Sequence, residues 1–182
     1  STPADITGDW VTSVTNTAAH TYQVAPVATL MEQKIIDGLN ALVGFDNGDG
    51  IMASGGSNAN MLGLLCGLHK RWPEIKQQGF NGLKPVLYVS DQCHYSYEKS
   101  VFTLGIGTDN MRRIASDDRF RMCPDALRKQ INIDIADGKQ PFLIGATAGT
   151  TVAGAFDPID ELADIAEEFG LWLHVDAAWG CP

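Results

Sequence analysis

The chain has 182 residues, 45% of them hydrophobic and 19% charged, the balance of an ordinary globular domain with one sizeable core rather than of a disordered segment. A formal net charge of -9 argues against a nucleic-acid surface, because phosphate contacts need clustered Lys and Arg. No apolar run approaches the roughly 20 residues that span a bilayer, and Ser1-Thr2-Pro3-Ala4-Asp5 shows no basic-then-apolar leader, so the expected partners are small molecules or protein subunits in the cytoplasm.

From about Pro26 to Phe45 the residues Val27, Leu30, Met31, Ile35, Ile36, Leu39, Leu42 and Val43 recur at three- and four-residue steps, which predicts an amphipathic helix. The turn cluster Asp46-Asn47-Gly48-Asp49-Gly50 ends it. Ile51, Met52 and Ala53 then lead into the Gly-rich stretch Ser54 to Asn60, and a second helix is expected from about Asn58 to Arg71, stopped by Pro73. Beyond it the rhythm is regular. Strands are expected at Val86 to Ser90, Met111 to Ala115, Phe142 to Thr147 and Leu171 to Val175, with helices at Tyr95 to Leu104, Pro124 to Ala136 and Ile159 to Phe169 between them. Strands alternating with helices predict an α/β fold with a mostly parallel sheet covered on both faces. The expected division is an N-terminal helical arm, 1–45, and an α/β unit, 46–182. Cys66, Cys93, Cys123 and Cys181 form no C-x-x-C pair and are each read as a reduced, small, buried hydrophobe. Glu161, Asp164, Glu167 and Glu168 read as a solvated helix face.

Four clusters can carry chemistry. The stretch Ser54 to Asn60 opens a helix, where the amides of Gly56, Ser57 and Asn58 and the Ser57 hydroxyl could hold a phosphate; a plain glycine turn with an N-cap satisfies the same residues. Its spacing fits neither the dinucleotide fingerprint nor the P-loop. His94, in Ser90 to Ser96, follows a strand and reads either as a structural hydrogen-bonder or as a site residue. Ala146 to Thr151 closes another strand, either as a site or as a polar turn. Asp176 ends what reads as a buried strand, where a carboxylate points into the crevice that open α/β sheets use for ligands. All four fall at the C-terminal ends of strands or the start of a helix.

With Thr21 to Val27, Leu30-Met31-Glu32, Gly48-Asp49-Gly50-Ile51, Gly55-Gly56-Ser57-Asn58, Cys93 to Ser96, Leu104 to Asp109, Ala146 to Thr151, Gly154 to Pro158 and His174 to Gly180, the chain resembles the group II pyridoxal-phosphate-dependent amino-acid decarboxylases. The resemblance is to their glutamate and cysteine-sulfinate branch. It implies the large domain of the aspartate-aminotransferase-like PLP fold type I, pyridoxal 5'-phosphate as cofactor, an amino-acid substrate and a homodimer with its active site at the interface. It implies that Asp176 pairs with the pyridine nitrogen and that His94 stacks on the ring. Ala178 would leave room at the opposite face, Gly56, Ser57 and Asn58 would hold the phosphate, and Thr151 would lie beside the ring. Thr15, Asn16 and His20 would sit on the substrate side. There Ala18 and His20 depart from the Asn and Phe of glutamate decarboxylases, which leaves glutamate, cysteine sulfinate, aspartate or a related amino acid as substrate. The family's Schiff-base Lys lies in an Asn-Pro-His-Lys type motif that does not occur in 1–182, so the chain is expected to be the N-terminal part of a large domain incomplete at its C-terminus. The alternatives are another fold type I enzyme, such as an aminotransferase, and a non-catalytic PLP-binding or dimerisation domain.

Overall fold

Thr2-Pro3-Ala4-Asp5 begins a helix that hydrophobic spacing did not announce. In α1 (Pro3–Thr15) the Thr2 amide donates to Asp5 Oδ2 at 2.6 Å and the Asp5 amide to Thr2 Oγ1 at 3.3 Å, a capping box with Pro at the first helical position. The computed structural model describes residues 2–18 and 20–181, which divide into two units after Met52. The first unit holds α1 and α2 (Pro26–Val43), the second helix ending where Gly44 turns left-handed at φ +77°. The expected apolar stripe is present on α2, but Leu30, Met31 and Leu42 are exposed. Fifty-odd residues arranged as two helices do not enclose a core.

The second unit runs α3 (Gly56–Arg71), α4 (Ile75–Gln78), β1 (Pro85–Ser90), α5 (Ser96–Thr103), β2 (Met111–Ile114), α6 (Pro124–Ala136), β3 (Gln140–Thr147), α7 (Ile159–Phe169) and β4 (Trp172–Asp176). The four strands are all parallel, in the order β2-β1-β3-β4. Alternation along β1 sorts two cores. Val86 and Tyr88 join Leu127 and Ile131 of α6 and Leu162 and Ile165 of α7 on one face, while Leu87 and Val89 join Leu64 and Leu68 of α3 and Tyr97 and Val101 of α5 on the other. The β1–β3 register slips where Val86 faces Pro141 and Leu87 faces Leu143, and this irregularity lets Phe142 and Leu143 serve the same core.

Two expectations need correction. Asp176 does not end a fully buried strand: β4 is an edge of the described sheet, its residues are only half-buried, and Trp172 is exposed. None of the four cysteines is fully buried either, although Cys93 packs against the core around Leu87 and Tyr97. Cys66 and Cys181 are exposed, and Cys93 and Cys123 are intermediate. Cys66 lies on the outer face of α3, because Leu64 and Leu68 are the residues that α3 turns inward.

One buried charge ties α6 to the sheet. Asp134, 2% exposed, accepts from Arg112 Nε at 2.9 Å and Nη2 at 2.6 Å, from Gln130 at 3.1 Å and from the Tyr88 hydroxyl at 3.2 Å. Burial alone would raise its pKa, but the hydrogen bonds from Arg112 and Gln130 and the Arg112 charge hold it below the usual carboxylate value. A depressed folded pKa contributes stability above the unfolded value near 4 that is lost as pH falls through the folded pKa. Asp134→Asn should cost about 2–4 kcal/mol at neutral pH, discounted because Arg112 reaches water. The loss should shrink below about pH 4, and urea unfolding that gave both proteins the same acid slope would refute this account.

Candidate functional site

From β1 the chain crosses to β2 on one side and then returns to β3 on the other, so the loops leaving β1 and β3 diverge and open a crevice at their C-terminal ends. A cleft of about 250 Å³ occupies this place. The loop after β1 brings His94 to it, β3 and its loop bring Thr147, Gly149 and Thr151, β4 and the turn after it bring Asp176, Ala178 and Trp179, and the start of α3 brings Gly56, Ser57 and Asn60.

The start of α3 presents the backbone donors that an anion would need. Gly55 adopts φ +154°, which residues with a side chain rarely reach. The amides of Asn58 and Ala59 donate to the Gly55 carbonyl at 3.0 Å, which leaves those of Gly56 and Ser57, with the Ser57 hydroxyl, at the positive end of a 16-residue helix. No acidic residue stands in that first turn. A Cβ at position 56 would lie 3.7 Å from that of Ala178, so a side chain there would fill the cleft.

Asp176 is held on both oxygens. Oδ2 accepts from Asn60 Nδ2 at 2.7 Å and Oδ1 from the Ala178 amide at 3.2 Å. Asn60 is buried on α3, its Nδ2 also donates to Ser96 Oγ at 2.9 Å, and its Oδ1 lies 2.8 Å from His174 Nε2. Burial moves the His174 pKa below the usual imidazole value, against the opposing pull of Asp176. On the other wall His94 Nδ1 accepts from the Ser96 amide at 3.2 Å, which puts the proton of the neutral ring on Nε2 and fixes the ring plane.

The β3 side is braced by Asp157, 4% exposed, which accepts from the Thr147 amide at 2.8 Å and the Met122 amide at 2.7 Å. Burial raises its pKa, partly offset by those two amides. Gly149 and Thr150 both donate to the Ala155 carbonyl, closing the loop that carries Thr151. Thr147 lines the cleft, but its hydroxyl is buried and has no partner among the described residues.

Gly56, Ser57, His94, Thr151, Asp176 and Ala178 therefore line one cleft. Asn58 does not: it borders a shallow groove with Met61 and Lys99, on another side of α3. Thr15, Asn16 and His20 belong to the first unit and are exposed. Thr15 Oγ1 donates to the Val11 carbonyl and Asn16, at φ +41°, caps α1, while Ala19 lies outside the described residues. Asn60, Thr147, Gly149 and Trp179 fall within the expected clusters and motifs, but the sequence assigned them no individual role. Asn60 had a signal, since it precedes Leu64 and Leu68 by four and eight residues and so shares their inward face. Cys93, adjacent to His94, has its thiol pushed up to about 11, chiefly by burial, so it stays protonated near neutral pH.

A family model described as the pyridoxal-dependent decarboxylase conserved domain matches residues 1–181. The cysteine sulfinic acid decarboxylase of Rattus norvegicus is 46% identical over 98% of this chain and 36% of its own length. The acidic amino acid decarboxylase of Bos taurus is 45% identical over 94% of this chain and 33% of its own length. The chain thus spans about a third of the curated relatives it matches. The crystal structure of mouse CSAD in apo form superposes with a TM-score of 0.96 at 45% identity, over 99% of this chain and 38% of that one. The tryptophan decarboxylase of Catharanthus roseus with L-tryptophan gives 0.84 at 30% identity, over 96% and 39%.

The Asp157 brace can be tested by one atom. In Asp157→Asn one of the two accepting oxygens becomes an NH2 group facing a backbone amide, so the change should cost about 2–3 kcal/mol despite equal size. Urea unfolding midpoints would measure it, and an equal midpoint would remove the brace.

Proposed function

The chain belongs to the pyridoxal-dependent decarboxylase family, and we propose that the whole protein removes a carboxyl group from an acidic L-amino acid with pyridoxal 5'-phosphate held in the cleft at the C-terminal ends of β1 and β3. The observation that carries this reading is the pairing of opposite recognition chemistries in one cleft: amide donors at the α3 N-terminus, suited to a phosphate, and a doubly held carboxylate at Asp176, suited to a protonated ring nitrogen. These residues fit the cofactor. When bound, it supplies an electron sink for the pair left by the departing carboxyl group.

In this reading Gly56 and Ser57 bind the phosphate through their amides and the Ser57 hydroxyl. Asp176 keeps a proton on the ring nitrogen, because a neighbouring carboxylate favours the charged form of a pyridinium. His94, its ring plane fixed by the Ser96 amide, stacks on the ring, and the small Ala178 leaves the ring space. Thr151 contacts the ring. No lysine is among the residues lining the cleft, so a covalent attachment would use a lysine elsewhere in the whole protein. The acidic substrate class rests on the relatives, which act on cysteine sulfinic acid and acidic amino acids by name. A homodimer is part of the same proposal and rests on the family resemblance.

The whole protein, loaded with pyridoxal 5'-phosphate and offered cysteine sulfinate, aspartate and glutamate in turn, should release CO2 from at least one of them. Release from aromatic amino acids alone would overturn the substrate class. Asp176→Asn should lower kcat at least about a hundredfold, since a neutral amide cannot hold the ring proton. Both variants should weaken cofactor binding about tenfold, but Ser57→Ala should leave kcat of the saturated enzyme little changed. Cofactor titration followed by absorbance separates the two effects.

A further inference from the structure

We propose that Asn60, seated by His174 in the space left by Gly63, is the positioning residue that fixes the orientation of the Asp176 carboxylate. The inference rests on the reading of Asp176 as the partner of a ring nitrogen and deepens it. Asn60 is 3% exposed, and its amide makes three short contacts: Nδ2 donates to Asp176 Oδ2 at 2.7 Å and to Ser96 Oγ at 2.9 Å, and Oδ1 faces His174 Nε2 at 2.8 Å. Charge decides which way the amide points. Turned over, it would set Oδ1 against a carboxylate oxygen, two acceptors with no proton between them. With the NH2 group committed to Asp176, Oδ1 must accept from His174, so that ring carries its proton on Nε2. A neutral ring protonated on Nδ1 instead would oppose Oδ1 with a lone pair and release the amide.

Nor can the ring easily turn away from Oδ1. A Cβ at Gly63 would stand 2.4 Å from both Nδ1 and Cε1 of His174, so the imidazole occupies the volume a side chain at 63 would take. Tyr97 stands edge-on to the same ring, centroids 6.1 Å apart. Glycine inside a helix is less favourable than alanine, and at position 63 the room for His174 accounts for it. Asn60 follows Ser57 by three residues on α3, a rise of about 4.5 Å. One rigid helix thereby carries both the donors for an anion and the anchor of the carboxylate.

The test uses the whole protein with Asn60→Ala, Gly63→Ala and, as reference, Asp176→Asn, and reads two quantities besides activity. These are the dissociation constant of pyridoxal 5'-phosphate and the imidazole 15N shifts of His174 before cofactor is added. Asn60→Ala should weaken the cofactor about tenfold or more while leaving competition by inorganic phosphate unchanged, because the α3 donors stay in place. Gly63→Ala should weaken it in the same direction, against alanine's better helix propensity, and should shift His174 away from the Nε2-protonated pattern. Wild-type cofactor affinity in Asn60→Ala, with Asp176→Asn weakened, would overturn the inference alone. Wild-type affinity in Asp176→Asn as well would remove the reading of Asp176 and the inference with it. If the variants do not fold, the 15N shifts of the unmodified protein decide: an Nε2-protonated His174 supports the arrangement and an Nδ1-protonated one overturns it.

Discussion

With no side chain at 63 or 67, α3 lies close enough to the sheet for its backbone to face β4 and β3 across single rings and methyl groups. A Cβ at Gly67 would meet Leu143 Cδ1 at 3.0 Å and Trp172 Cγ at 3.2 Å, and one at Gly63 would meet the His174 ring. Much of the cleft depends on this approach. It brings Asn60 within hydrogen-bond reach of a carboxylate 116 residues away in sequence, and it aims the start of the helix at the same crevice. A helix held further out by two methyl groups would still cover the sheet, but Asn60 would no longer reach Asp176.

The electrostatics of the cleft run against those of the chain. A protein with net charge -9 presents backbone donors here with no Lys or Arg lining the cleft. Backbone amides at a helix start do the work of Lys or Arg, and they carry no charge that a neighbouring carboxylate would neutralise. Asp176 can therefore share the cleft with the donors of Gly56 and Ser57. The result is a site polarised from one group to another rather than uniformly positive, which suits a ligand that is anionic in one part and cationic in another.

Much of the fold was legible because its signals are local. Six consecutive buried residues in β1, seven in β3 and the strong amphipathic pattern of α7 are properties of short windows. His94 and Asp176 were placed by strand ends, Gly56 and Ser57 by a helix start, and Thr151 and Ala178 by the family resemblance; all six line one cleft. What stayed hidden depends on rotation and order. Asn58 and Asn60 look alike in sequence, yet two residues on a helix are about 200° apart, so one borders an outer groove and the other is buried beneath the cleft. The edge position of β4 follows from strand order, which no window of residues encodes. The start of α1 was legible and overlooked, since a Thr-Pro-x-Asp start signals a helix even where apolar spacing is weak.

The strand register explains why the ring of His174, rather than a water or a smaller side chain, stands behind Asn60. Gly145 of β3 is the register partner of His174, and a Cβ on it would come within 2.7 Å of the Tyr97 ring. Glycine on β3 thus admits Tyr97, glycine on α3 admits His174, and the two rings fill what the missing side chains leave. The Tyr97 hydroxyl finds no partner among the described residues, so its place is set by packing. A buried ring set by packing can hold a hydrogen bond in one direction more firmly than a solvated side chain, because rotating it would require displacing close-packed neighbours. Two rows further along the same register Thr147 faces Asp176. The geometry of the carboxylate is therefore inherited from the sheet on one side and from α3 on the other.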